Sequence, residues 1–334
     1  MDTRAPTISI VVPVYNPGKL FPACLESLEA QTIFPAIEVV LVDDGSTDGS
    51  GALCDEFAAR HPGQVQVFHQ PNQGQGAARN VGIEAATGAY LQFVDSDDAI
   101  APDACEMLLA AAEASGADVV WGDCIGFSTF KGPVAELAAQ GPTEMWRFAR
   151  CALRAGLLNV SPCLQLLRAP FIRERGLRFG EGFVYEDQQW ILRLMLAGAT
   201  LQRIDLPFYT YNYGGHRSSS TVMTAKRLMD AIDVVYAMIA DIEAASPAPE
   251  VREVADAFVA YTIAVIAQSS VRYAARPAQT LARMRMNDTF AHYAEQTQLL
   301  PASMRLIGPA MVRSQELYEA ELRRLDEARG QRQA

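Results

Sequence analysis

The chain has 334 residues, of which 50% are hydrophobic and 20% charged, and its net charge is −11 at pH 7. A chain of this length holds one large or two modest domains, and so apolar a composition excludes disorder. The acidic total opposes the phosphate backbone of nucleic acid, and no apolar run reaches the roughly 18 residues of a membrane span.

The N-terminus lacks the charged-then-apolar pattern of a secretory leader. Six cysteines (Cys24, Cys54, Cys105, Cys124, Cys151, Cys163) are scattered with no Cys-x-x-Cys pair, and they read as small core residues of a reduced, cytoplasmic protein. The four histidines show no metal-ligand spacing.

In chain order, "ISIVVPVYN" (8–16) reads as a strand, with a helix after it to about Gln31. "IEVVLVDDGS" (37–46) is a second strand, with a helix to about His61, and "VQVFHQ" (65–70) is a third. A helix over Gly76 to Thr87 leads to the strand Tyr90 to Val94, and "DVVWGD" (118–123) adds another. This alternation implies an α/β protein with a mostly parallel central sheet flanked by helices. Ligands of such sheets collect at the carboxyl ends of the strands, which puts Tyr15, Asn16, Asp43, Asp44 and Asp95 to Asp98 on one rim.

Asp95, Asp97 and Asp98 crowd three carboxylates into four residues at a strand end. They read either as a solvated turn that caps the next helix or as hard oxygen ligands for a divalent cation shared with a phosphate-bearing substrate. "NQGQGAARN" (72–80) is glycine-rich without the spacing of a dinucleotide or phosphate loop. Arg79 within it could face the rim, though a lone arginine is more often a surface or ion-pair residue. Charge is uneven along the chain: residues 1 to 118 carry 17 acids against 4 bases, whereas residues 147 to 217 carry ten arginines and five acids. That places a cation-accepting half beside a segment suited to phosphate, unless both are ordinary solvated faces.

Further on, "GEGFVYEDQQW" (180–190) sets Glu186 and Asp187 at a helix start, where they read by default as acids favoured by the helix dipole. "YTYNYGGHRSSST" (209–221), with His216 and Arg217, suits a flexible loop closing on a diphosphate or a surface loop with a helix cap. Beyond 222 the pattern is helical, broken near 246–249, and the stripe Val254, Phe258, Tyr261 and Val265 reads as core or subunit interface.

The motifs "VVPVYN", "VVLVDDGSTDGS", "NQGQGAARNVGIEAATGAYLQFVDSDD" and "YEDQQW" occur in the order and approximate spacing of glycosyltransferase family 2, and over roughly residues 6 to 217 the chain resembles that family. The resemblance implies an inverting enzyme of the GT-A fold with a C-terminal α-helical extension, a hexosyltransferase that uses a nucleotide-diphospho sugar, with a UDP-sugar expected. It divides the chain into a GT-A domain at 1–221 (nucleotide-sugar half 1–123, acceptor and base half 124–221) and a helical region at 222–334. It implies that Tyr15 flanks the base, that Asp44 contacts its edge with Asp43 beside it, and that Pro13, Asn16, Arg79, Ser96, His216 and Arg217 complete the donor side. Asp97 matches the direct ligand of Mn2+ or Mg2+, Asp95 lies near ribose and metal, and Asp187, with Glu186, matches the catalytic base.

The implied partners are the donor and a glycan or lipid-linked acceptor of surface polysaccharide assembly, at the cytoplasmic face of a membrane. A peripheral membrane contact and a homodimer through the C-terminal helices are compatible with the helical pattern. Two rivals stand beside this reading. One is a sugar nucleotidyltransferase, for which "PVYNPGKL" offers only Lys19 as a phosphate-loop base; the other is a non-catalytic relative that acts in assembly.

Overall fold

A computed structural model describes residues 6–212, 224–273, 286, 288–302, 304, 305, 307–313 and 320. The chain forms two compact units, one of Met1–Met145, Asn159–Gly182 and Ala197–His216, the other of Trp146–Leu158, Phe183–Leu196 and Arg217–Ala334.

The first unit is built on a sheet of nine strands among the described residues: β1 (Ile8–Val14), β2 (Ile37–Asp43), β3 (Val65–His69), β4 (Tyr90–Phe93), β5 (Ala99–Ile100), β6 (Val119–Cys124), β7 (Thr143–Glu144), β8 (Gln165–Arg168) and β9 (Thr200–Thr210). The spatial order is β3-β2-β1-β4-β8-β6-β9-β5, with β7 also on β9. Every residue of β1 and β2 is buried, as β-branched runs covered on both faces should be. Helices α1 (Phe21–Glu29), α2 (Ser50–Arg60) and α3 (Gln75–Ala85) connect the first four strands, so β1 pairs in parallel with β2 and β4, and β2 with β3. α3 lies hard against the sheet: a Cβ on Gly82 would sit 2.1 Å from Val11 Cγ1, a place only glycine can fill.

The parallel expectation therefore describes the first four strands, while the rest of the sheet is mixed. β8 runs antiparallel between β4 and β6, β6 and β9 are parallel, and β5 and β7 are antiparallel to β9. α4 (Ala104–Ser115), α5 (Pro133–Ala138) and α7 (Ala169–Glu174) complete this unit. The chain winds outward from β1 to β3 and then returns to place β4 on the other side of β1. That reversal is a switch point at the carboxyl ends of β1 and β4, the place where open α/β sheets bind ligands.

The second unit is helical. It holds α6 (Met145–Ala155, all but its first residue), α8 (Glu186–Leu196), α9 (Ala225–Ala245), α10 (Pro249–Tyr273) and the short helices Asp288–Ala294 and Ile307–Arg313. The side chain of Thr224 caps α9 by accepting from the Arg227 amide at 3.2 Å. Val254 and Phe258 are fully buried within this unit, so that part of the stripe is core.

Candidate active site

The three acids that follow β4 do not face each other as equals. Asp95 Oδ1 accepts from Arg79 Nη2 at 2.9 Å and from Gln75 Nε2 at 2.7 Å, both on α3. Arg79 is thus a buried ion-pair residue, with its guanidinium also 5.1 Å from the Phe179 ring centre. Asp98 is buried and points back into the sheet, where Tyr209 Oη donates to Oδ2 at 2.9 Å and the Asn212 amide to Oδ1 at 2.9 Å. Burial pushes the Asp98 carboxyl up to about 7 against those two donors, with the charges of Asp95 and Asp97 adding to the rise. Tyr209 Oη also accepts from the Asp95 amide at 3.1 Å, and Asn212 Nδ2 donates to the Asp97 carbonyl at 2.7 Å. The turn is therefore fixed from β9 and α3, with Asp95 and Asp97 half-buried and Ser96 buried between them.

This donor set suits a hard divalent cation. Carboxylate oxygens favour Mg2+ or Mn2+ over softer ions. The neighbouring sulfur of Cys24, 3.6 Å from the Asp95 carbonyl, is held as a thiol by complete burial and the charges of Asp98, Asp95 and Asp97. Among the described residues no group of three or more His, Cys, Asp or Glu side chains forms a complete cage. A cation held by Asp97 and Asp95 would therefore fill its coordination sphere with substrate phosphate oxygens and water, the usual habit of Mg2+.

The loops that follow β1 and β2 are stitched together by side chains. Tyr15 is 53% exposed after β1, two residues beyond Pro13, which is buried inside that strand. Asn16 takes a left-handed conformation (φ +50°), which lets its amide donate to Ser46 Oγ at 3.2 Å while its Oδ1 accepts from the Thr47 amide at 2.7 Å. Asp48 ties the same loops by accepting from the Gly18 amide at 2.8 Å and the Ser50 amide at 3.0 Å. Asp43 Oδ1 accepts from the Ser46 amide at 2.9 Å, and Oδ2 faces His69 Nδ1 at 2.9 Å. Asp44, only 2% exposed, accepts from Gln70 Nε2 at 2.7 Å and from the Gln73 and Gly74 amides at 2.8 Å each. It anchors the glycine-rich loop that leads into α3, a task that the sequence does not show.

A fully buried ion pair supports the far side of the same sheet. Arg203 Nη2 lies 2.8 Å from Asp123 Oδ2, and Asp123 further accepts from Ser128 Oγ at 2.5 Å, the Phe130 amide at 3.1 Å and the Thr129 amide. The loop after β6 is thereby held with Ile125 and Phe127 exposed, and the Ile125 amide donates to the Tyr209 carbonyl at 2.8 Å.

In the helical unit, Glu186 and Asp187 open α8 directly after Tyr185, whose backbone is left-handed (φ +67°). Asp187 Oδ1 accepts from the Gln188 amide at 2.8 Å, as an acid at a helix start does. Burial, then the charge of Asp187, pushes the Tyr261 hydroxyl up to about 12. The helix is bolted at three further points: Thr262 Oγ1 donates to Gln188 Oε1 at 3.2 Å, and Gln189 Nε2 and Arg193 Nε donate to Asp241 Oδ2 at 2.7 and 2.8 Å. His216 and Arg217 lie outside the described residues.

Tyr209, Asn212, Gln75, Asp48 and His69 are site residues that sequence reasoning does not single out. Tyr209 and Asn212 sit in the quoted stretch "YTYNYGGHRSSST", but nothing in it points to Asp98, more than a hundred residues away.

Known proteins bear on these two units together. A family model described as Glycosyl transferase family 2 matches residues 9–155. The glycosyltransferase GlyG of Streptococcus pneumoniae is 34% identical over 244 residues, covering 68% of this chain and 77% of GlyG. EpsH of Bacillus subtilis is 33% identical over 240 residues, covering 70% of this chain and 68% of EpsH. S. aureus TarS 1–349, solved in complex with UDP-GlcNAc, matches with a TM-score of 0.65 at 20% identity over 97% of this chain and 92% of that one. The mannosyltransferase PcManGT of Pyrobaculum calidifontis, solved with GDP-Man and Mn2+, matches with a TM-score of 0.54 at 18% identity over 89% of this chain and 84% of that one. At those identities the solved structures speak for the fold, which is GT-A; the sequence relatives carry the rest, and the chain belongs to glycosyl transferase family 2 and is a glycosyltransferase.

Proposed function

We propose that the protein transfers a sugar, with inversion, from a nucleotide-diphospho sugar to an acceptor hydroxyl, with UDP as the nucleotide and a divalent cation at Asp97 and Asp95. The observation that supports this best is the acidic turn at the β1/β4 reversal, buttressed from α3 and β9, which sets two half-buried acids at the carboxyl ends of those strands. TarS with UDP-GlcNAc and PcManGT with GDP-Man and Mn2+ support the donor class and the metal. When bound there, the cation neutralises charge that develops on the leaving diphosphate.

The residues of the chain have separable tasks. Tyr15 offers an exposed ring for the base to stack on, and Asn16, Ser46, Thr47 and Asp48 keep its loop in place. Asp43 and Asp44 line the base side and hold its walls. Arg79 fixes the aim of Asp95, and Tyr209 and Asn212 hold the Asp98 turn. Asp187 takes the proton of the attacking acceptor hydroxyl, with Glu186 beside it, a contribution typically of about 10²–10⁴-fold in rate. His216 and Arg217 supply positive charge for the diphosphate.

The acceptor is a glycan or lipid-linked glycan of polysaccharide assembly, and the reaction takes place in the cytoplasm, with peripheral contact to the membrane. No helix among the described residues is long and apolar enough to cross a membrane. A screen of UDP- and GDP-sugars with Mn2+, reading released nucleotide diphosphate, tests the proposal. Release from one UDP-sugar that stops in EDTA is expected; release undiminished in EDTA would overturn the metal, and no release from any donor the activity.

A further inference from the structure

His69 closes β3 with both ring nitrogens against carboxylates: Nδ1 is 2.9 Å from Asp43 Oδ2 and Nε2 is 3.1 Å from Asp55 Oδ1. A neutral imidazole has one N–H, so only the imidazolium can donate to both acids at once. Asp43 lies at the centre of a relay. Its other oxygen accepts from the Ser46 amide, Ser46 Oγ accepts from the Asn16 amide, and Asn16 follows Tyr15. The first turn of α2 closes over the pair so tightly that a Cβ on Gly51 would lie 2.7 Å from Asp43 Oδ2. The titratable groups set against the ring are Asp43 from β2 and Asp55 from α2. The Cys54 thiol of α2, close to both acids, is pushed up to about 12 by burial and their charge and stays neutral.

We propose that His69 is a positioning residue for donor binding: as an imidazolium it fixes Asp43, and through Ser46 and Asn16 the loop that carries Tyr15, so that its deprotonation loosens the nucleotide side of the site. This inference rests on the reading of that loop as the donor pocket. The hydrogen bonds that the ring donates to Asp43 and Asp55 raise the His69 pKa above its ordinary 6.5; burial opposes them, and the charges of the two acids add to the rise. A histidine raised in the folded state stabilises below its unfolded pKa, and that contribution is lost as pH rises through the folded value. Donor affinity should follow the same direction.

The test is calorimetric titration of UDP and of GDP with Mn2+ between about pH 5.5 and about pH 8.5, across the range where imidazole titrates. Wild type is compared at each pH with His69→Gln, which cancels ionisation of the nucleotide's own phosphate. The wild-type advantage should fall about three- to tenfold across that range, a modest coupling for a half-exposed ring. Asp55→Asn, a change at an exposed side chain, should shift the midpoint to lower pH, and the His69 titration followed by NMR should shift with it. A role limited to stability would shift the NMR titration alone and leave the ratio of affinities constant with pH. A constant ratio, or an Asp55→Asn midpoint equal to that of wild type, would overturn the inference. Failure of UDP and GDP to bind at any pH, with His69 still titrating high by NMR, would overturn the donor pocket itself and the inference with it.

Discussion

Tyr209→Phe deletes one oxygen from the support of the acidic turn and keeps the ring that packs beneath it. The hydroxyl, in a side chain with no exposed surface, donates to Asp98 Oδ2 at 2.9 Å and accepts from the Asp95 amide at 3.1 Å. A hydrogen bond to a charged group contributes about 1.5–3 kcal/mol, and a buried amide left without its acceptor costs about 1–3 kcal/mol. Asp98 limits the sum. Its carboxyl already sits at about 7, and losing a donor raises it further, so the variant takes up a proton near neutrality rather than bury a poorly bonded charge.

A carboxyl raised in the folded state binds more protons than in the unfolded chain. Stability therefore falls as pH climbs from the unfolded value towards the folded one. In wild type that decline ends near 7, whereas in Tyr209→Phe it runs on to higher pH. The penalty should be about 1 kcal/mol near pH 5.5 and about 2–3 kcal/mol near pH 8.5. Guanidinium unfolding in EDTA at both pH values measures it. A penalty that is equal at the two values, or that shrinks with pH, would refute the role given to the hydroxyl.

Arg203→Met leaves the fully buried Asp123 without its counter-ion and should cost about 3–5 kcal/mol in chemical denaturation, with part recovered when Asp123→Asn is added. A single-variant cost under about 1 kcal/mol would mean that the four donors from Ser128, Thr129 and Phe130 suffice. Asp44→Ala should raise the donor KM more than it lowers kcat, and should also destabilise by about 2–4 kcal/mol, since three bonds to the 70–74 loop are lost; unchanged UDP affinity by calorimetry would confine Asp44 to a loop anchor. Asp187→Asn should lower transfer by about 10² or more with donor affinity kept, and should cost no more than about 1 kcal/mol of stability. A folded, fully active variant would give the base role to another group.

The winding of the first four strands was legible because β1 and β2 are rich in Val and Ile and the loops after them carry Gly, Asn and Asp. The rim followed from that winding, since parallel strands deliver their ends to one side. β8 and β9 were not legible: "QLLR" is four residues, too short to show a period, and its antiparallel place between β4 and β6 comes from long-range pairing alone. The acids were legible as acids but not by task. Asp98 and Asp44 look like their neighbours in sequence, and only the folded chain turns them inward to Tyr209 and to the 70–74 loop. Arg79 was legible as an ion-pair residue, although its partner Asp95 was not. The three polar bolts on α8 reach residues 48 to 74 positions away, and no periodicity within one helix could show them.

The claim that Asp97 and Asp95 hold a divalent cation against the donor diphosphate is tested most directly by calorimetric titration of UDP into wild type and Asp97→Asn, each with Mn2+ and with EDTA. An amide at 97 removes the charge and nearly keeps the shape, and circular dichroism shows whether the variant is folded. Mn2+ should tighten UDP binding to wild type by about tenfold or more, a gain of at least about 1.4 kcal/mol, and Asp97→Asn should lose this gain along with transfer activity. Equal UDP affinity in Mn2+ and in EDTA for wild type, or an Asp97→Asn protein that keeps the full Mn2+ gain, would contradict the claim.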